Sequence, residues 1–246
     1  YRASASRVAD LLDAELDDSI AEPKNGIDLE SFTALKFENV SATYPFAEYP
    51  SVKSVTFDLL PGENMLIQGR SGSGKSTIAN VVAGFLNPSS GTYQISGRDR
   101  FEITTSSLRK LVGYQEQSPT IFSGSLRANL VLAKPDASEE ELWAVLDRVR
   151  LTSTFKNRDG LETQLGEFGH EISGGEAQRI ALARSLLADF RIIVFDEPTA
   201  NVDDETSAQL IDDMLSLAKN DQTRACIFIS HDDRLLGNSV DKRVSL

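Results

Sequence analysis

The sequence predicts an α/β protein built around a buried parallel sheet, and three observations carry that expectation. Residues 192–195 and 225–229 are short, wholly apolar runs of the kind found in strands covered on both faces. Residues 65–67 form a third such run and lead into Gly69-Arg70-Ser71-Gly72-Ser73-Gly74-Lys75-Ser76-Thr77. That loop fills every fixed position of the G-x-x-x-x-G-K-[ST] pattern, whose curled backbone turns successive N–H groups toward phosphate oxygens. Ile78-Ala79-Asn80-Val81-Val82 then opens a helix whose positive end is aimed at the loop.

The remaining elements follow in order. Residues 1–20 place Val8, Leu11, Leu12 and Leu16 at helical spacing, which fits either a terminal helix on the domain or a tail to a preceding module. Glu22-Pro23-Lys24-Asn25-Gly26 breaks that helix and reads as a linker. Residues 34–40, 52–59, 64–68 and 92–95 read as strands, with Pro61-Gly62 as a turn. From 101 to 187 the chain reads as mainly helical, with helices at 138–149 and 176–187; Ser138 followed by three glutamates is a strong helix start. Trp143 is expected in the core, and residues 206–219 form an amphipathic helix.

Bulk composition narrows the function class. A chain of 246 residues with 40% hydrophobic content can bury a core as one large domain, or one plus an appendage. A net charge of −12, with no cluster of lysines and arginines, argues against nucleic acid as a partner. The lone Cys226 lies in an apolar run and is expected as a small buried thiol. No apolar stretch approaches the about 20 residues of a membrane span. The chain begins without Met, and is expected to be a piece of something longer.

Further motifs carry chemistry. Lys75 supplies a point charge for β- and γ-phosphates, and the Ser76 hydroxyl can ligate Mg²⁺. The run 192–195 delivers Asp196 and Glu197 to the carboxyl end of a strand expected beside the phosphate loop; Asp196 is placed for a Mg²⁺ water shell and Glu197 for polarising water. Ile172-Ser173-Gly174-Gly175-Glu176 opens the 176–187 helix and reads as a second anion site, or as an ordinary cap with Ser173 at its start.

Together these motifs resemble the nucleotide-binding domain of an ATP-binding cassette transporter, over nearly all of residues 34–246. The resemblance implies a P-loop NTPase (RecA-like) core with an antiparallel β subdomain and an inserted α-helical subdomain at about 101–187. It implies ATP and Mg²⁺, held by two cassettes that sandwich the nucleotide. Carried over residue by residue, Tyr44 matches the aromatic stacked on adenine, and Gln117 the glutamine reaching Mg²⁺ and the attacking water. Ser173, Gly174, Gly175 and Glu176 match the signature that grips the partner's γ-phosphate, with Glu176 in place of the usual glutamine. Asp203 matches the dimer-contact loop and His231 the switch histidine, while Glu197 matches the catalytic base.

Residues 121–130 and 163–169 resemble exporter-type cassettes, and residues 5–13 resemble the helix joining an exporter's membrane domain to its cassette. The implied division is a linker at 1–30 and a cassette at 31–246, on the cytoplasmic side of a bacterial inner or plasma membrane. The implied partners are a transmembrane domain, of the same or an associated chain, and a second cassette, identical or different. A signature ending Gly-Gly-Glu is similar to one half of the heterodimeric bacterial exporters of cysteine or glutathione. A soluble cassette acting on DNA, ribosomes or iron–sulfur assembly is the alternative, and a module that binds ATP without turnover is a third reading.

Overall fold

The computed structural model describes residues 23, 25–166, 171–199, 202, 204–230 and 240–246. The terminal helix read at 1–20, and the residues His231 and Asp203, lie outside these.

An antiparallel sheet is built from β1 (Leu35–Ala42), β2 (Val52–Leu59), β4 (Ser90–Ile95) and β5 (Arg98–Asp99), in the order β2-β1-β4-β5. Buried and exposed positions alternate along β1 and β2, so one face is covered. Phe37 pairs across the ladder with Phe57 on one side and Tyr93 on the other, and each ring centroid lies 4.6 Å from that of Phe37. Such cross-strand aromatic pairs hold the register of this half of the molecule.

The second sheet is wholly parallel: β3 (Asn64–Gln68), β6 (Val112–Gln115), β7 (Ile192–Asp196), β8 (Ala225–Ile229) and β9 (Lys242–Ser245), ordered β6-β7-β8-β3-β9. Its two-residue period separates two cores. Ile67, Val194 and Ile227 face the antiparallel sheet with α1 (Lys75–Val82) and α2 (Thr105–Leu111). Leu66, Phe195 and Phe228 face α3 (Leu126–Val131), α4 (Glu139–Arg148), α5 (Thr152–Lys156), α6 (Gly174–Leu187) and α7 (Asp204–Asn220). Cys226 lies on this second face, fully buried, and burial pushes its thiol up to about 12. Trp143 is partly buried against the same core, with the Lys156 ammonium 5.4 Å from its ring centroid.

β8 lies between β7 and β3, so the strand carrying Asp196 meets the phosphate loop across one intervening strand. Two features differ from the sequence reading. β6 falls inside the stretch read as mainly helical; Val112-Gly113-Tyr114-Gln115 is too short and too polar to show a period. It forms where Gly113 lets the Phe190 ring approach, since a Cβ there would stand 2.3 Å from that ring. β9 has one apolar residue in four, so its strand state comes from the ladder to β3 and from Lys242, whose ammonium pairs with Asp58 at 2.5 Å and Glu63 at 2.9 Å.

One buried hydrogen bond joins the antiparallel sheet to the helix behind the phosphate loop. The Tyr93 hydroxyl donates to the Val82 carbonyl at the end of α1, at 2.9 Å, with Tyr93 1% exposed. Replacing Tyr93 by Phe leaves that carbonyl without its partner in a dry site, at about 1–3 kcal/mol. Thermal denaturation of Tyr93→Phe should therefore show Tm lowered by about 2–10 °C; an unchanged Tm would show that the bond contributes nothing.

Candidate functional site

The loop at 69–77 runs from the carboxyl end of β3 into α1, and its shape depends on Gly74. That residue has φ of 95°, and a Cβ on it would sit 2.2 Å from Val52 Cγ1 and 2.5 Å from the Ser51 carbonyl oxygen. A side chain is excluded both by backbone conformation and by the start of β2. Lys75 is 8% exposed and its ammonium donates to the carbonyls of Gly69 at 2.9 Å and Arg70 at 3.1 Å. The Ser73 hydroxyl is buried in the loop without a hydrogen-bond partner. A curl of amides, an ammonium and an orphaned hydroxyl together fit a polyphosphate.

A cleft of about 530 Å³ opens over the loop, lined by Ser71, Gly72, Gly74, Lys75, Ser76 and Thr77. Gln117, Asp196 and Glu197 line it as well, and so does Ser51, which lies against Gly74 and which the sequence reading did not single out. Asp196 ends β7, is 6% exposed, and accepts the Tyr114 hydroxyl on Oδ2 at 3.0 Å. Burial first, then the Asp196 carboxylate, pushes the Tyr114 phenol upward, so it stays a proton donor at neutral pH. Glu197 has φ of 47°, a left-handed conformation that is uncommon for a non-glycine residue. Its N–H donates to the Ile229 carbonyl at 2.8 Å, and the Ser230 hydroxyl donates to its Oε2 at 3.3 Å. The bend turns the Glu197 carboxylate off the strand direction and into the cleft.

Tyr44 stands outside the cleft lining: it is 38% exposed, and its hydroxyl accepts the Asn80 side-chain amide of α1 at 2.8 Å. Ser173, Gly174, Gly175 and Glu176 also lie apart from the cleft, at the start of α6. Ser173 is the N-cap. Its hydroxyl accepts the Glu176 N–H at 3.2 Å, and Glu176 Oε2 accepts the Ser173 N–H at 2.7 Å. Glu176 Oε1 is held by Arg158 at 2.8 Å. The Glu176 carboxylate is thus committed to bracing the turn, while the Ser173 proton and the first-turn amides of Gly174 and Gly175 have no intrahelical use. The capping box was legible as Ser-x-x-Glu; the distant Arg158 partner was not.

This geometry defines a P-loop domain with a cleft that fits a polyphosphate. A protein-family profile described as ABC transporter matches residues 52–200. The chain is 34% identical over 226 residues to the ABC multidrug transporter mdr2 of Aspergillus fumigatus, covering 91% of this chain and 28% of that one. It is 32% identical over 237 residues to the glutathione/L-cysteine transport system ATP-binding/permease protein CydC of Escherichia coli, covering 96% of this chain and 40% of that one. A solved bacterial Atm1-family ABC exporter with ATP bound superposes with a TM-score of 0.90 at 28% identity, over 98% of this chain and 42% of that one. The chain therefore belongs to the ABC transporter family, and is an ATP-binding, ATP-hydrolysing domain of that family. It spans 28% to 42% of the length of these three relatives, and none of them supports the soluble alternative.

The Gly74 geometry generates a direct test. Gly74→Ala should abolish the loop's grip on the nucleotide, seen as at least a ten-fold loss of affinity for a fluorescent ATP analogue with circular dichroism unchanged. Wild-type affinity would show that the loop tolerates a side chain at a left-handed position.

Proposed function

We propose that this chain is the ATPase cassette of a membrane exporter, completing its two ATP sites only against a second cassette. One observation carries the reading. Lys75, Ser76, Gln117, Asp196 and Glu197 share a single cleft, whereas the Ser173-Gly174-Gly175 anion site lies on the chain apart from it. An anion-binding helix end without a phosphate of its own fits a site shared between two subunits.

The donor set suits Mg²⁺. Ser76, Gln117 and Asp196 offer oxygen atoms with a single carboxylate, and among the described residues no group of three or more His, Cys, Asp or Glu side chains gathers to hold a metal. Mg²⁺ is held in this way when phosphates and water complete its shell, and it neutralises charge on the transferring phosphoryl group. Lys75 binds the phosphate oxygens. Glu197 accepts the proton of the water that attacks the γ-phosphorus, the bond from that phosphorus to its bridging oxygen breaks, and ADP leaves. Tyr44 stacks on the adenine, its ring fixed by the Asn80 hydrogen bond. The partner cassette's Ser-Gly-Gly turn closes over the γ-phosphate. His231 and Asp203 join this assignment on their sequence motifs alone.

A transmembrane domain would dock in a second depression of about 480 Å³, walled by Phe85, Phe122, Leu132 and Phe190. Three of these, Phe85, Phe122 and Leu132, are more than half exposed, and Phe122 belongs to the exporter-like 121–130 segment. No helix among the described residues is long and apolar enough to cross a membrane. Membrane attachment at the cytoplasmic face is assigned to a transmembrane domain of the same or an associated chain, with residues 1–30 as the linker to the cassette at 31–246 and its helical subdomain at about 101–187. The Gly-Gly-Glu signature and the similarity to the bacterial glutathione/L-cysteine system favour a thiol exporter with an unlike partner cassette. Cargo is chosen outside this chain, as the comparable identities to a multidrug and a thiol system illustrate.

Two experiments test the assignment in the full-length transporter. Glu197→Gln should retain ATP binding, hold the two cassettes together, and lose about a hundred-fold or more of turnover; undiminished turnover removes Glu197 as the base. Because the chain's own Cys226 is buried, cysteines placed at Ser173 and, on the partner, in the phosphate loop should crosslink cleanly with ATP present. Failure to trap that pair would overturn the shared site.

A further inference from the structure

Tyr114 has no role assigned by motif, yet it lines one depression of the domain and bonds to a residue lining another. Its ring lines the 480 Å³ groove, 5.9 Å from the ring of Phe85, while its hydroxyl donates to Asp196 Oδ2 in the nucleotide cleft at 3.0 Å. The sheet register makes this possible. Tyr114 pairs with Val194, so Tyr114, Val194 and Asp196 project from one face of adjacent parallel strands. Phe85, for its part, donates its N–H to Asn80 O, near the end of the helix that begins with Lys75 and Ser76.

We propose that Tyr114 is a positioning residue that orients the Asp196 carboxylate and transmits what fills the groove to the nucleotide cleft. The proposal rests on the reading of Asp196 as the Mg²⁺-site carboxylate. With Oδ2 committed to the phenol, Oδ1 is the oxygen presented to the cleft, and the carboxylate cannot rotate without breaking the bond. The aromatic ring is rigid between its two ends. A partner helix pressing on Phe85 and the Tyr114 ring therefore displaces the Tyr114 hydroxyl, and with it the donor set. Outer-shell partners of this kind change metal affinity by about 10- to 100-fold when removed.

The test uses the full-length transporter with its partner cassette in lipid nanodiscs, in the Glu197→Gln background so that ATP persists. Mn²⁺ is the probe, and its binding is followed by electron paramagnetic resonance. Tyr114→Phe keeps the ring and is expected to weaken Mn²⁺ binding by about ten-fold or more, with ATP binding in EDTA unchanged. Phe85→Ala is expected to weaken Mn²⁺ binding when Tyr114 is present and to have no effect in Tyr114→Phe. Unaltered Mn²⁺ affinity in Tyr114→Phe overturns the positioning role, and equal effects of Phe85→Ala in both backgrounds overturn the transmission. Asp196→Asn separates the two levels: a loss there beside none in Tyr114→Phe defeats this proposal alone, whereas no loss in Asp196→Asn defeats the reading of Asp196 as well.

Discussion

The register of the parallel sheet is the constraint on which the site depends. Asp196 pairs with Ile229, and Ile229 pairs with Ile67, so the ends of β7, β8 and β3 fall in one row across the sheet. The phosphate loop begins just beyond that row on β3, Glu197 just beyond it on β7, and Gln117 two residues past the end of β6. Because side chains alternate with a period of two, a slip of one residue would turn Asp196 to the opposite face, among the helices of the second core. The apolar residues below the row oppose such a slip. Ile193, Phe195 and Phe228 would trade a packed helical layer for the antiparallel side, and Ile192 and Val194 the reverse.

Much of this was legible because it follows from local rules. The apolar runs at 192–195 and 225–229 have no solvated face, which only a doubly covered strand explains, and the loop at 69–77 combines spacing with a strand before it and a helix after it. The strands that were not legible owe their state to distant partners. β6 is held by β7 and by the Phe190 ring against Gly113, and β9 by β3 and the ions around Lys242. The same division runs through the site. Lys75, Ser76, Asp196 and Glu197 are marked by motif, but Ser51 reaches the cleft only because β2 starts against Gly74. Tyr114 reaches Asp196 only through a strand pairing 80 residues away in sequence. Strand order also has no local signature: β8 enters the sheet between β3 and β7, and opens a crevice at their carboxyl ends where ligands of open α/β sheets bind.

The helix that carries the Ser-Gly-Gly turn is anchored to the segment that carries Gln117. Gln178 on α6 donates to the Gln117 carbonyl at 2.5 Å and accepts from Gln115 at 3.3 Å, and both glutamine side chains are nearly buried. Two turns further along, Arg184 donates to the Thr120 carbonyl at 2.7 Å and lies over the Phe122 ring. A buried amide pair is stable only when its partners stay in place, since a lone buried amide is costly. Gln117 and the mouth of α6 are therefore linked over a short, buried path. On the two-cassette reading these two points serve different ATP sites, Gln117 the chain's own and the α6 mouth its partner's. Gln178 thus ties the Gln117 segment to the first turns of α6 directly, without passing through the sheet.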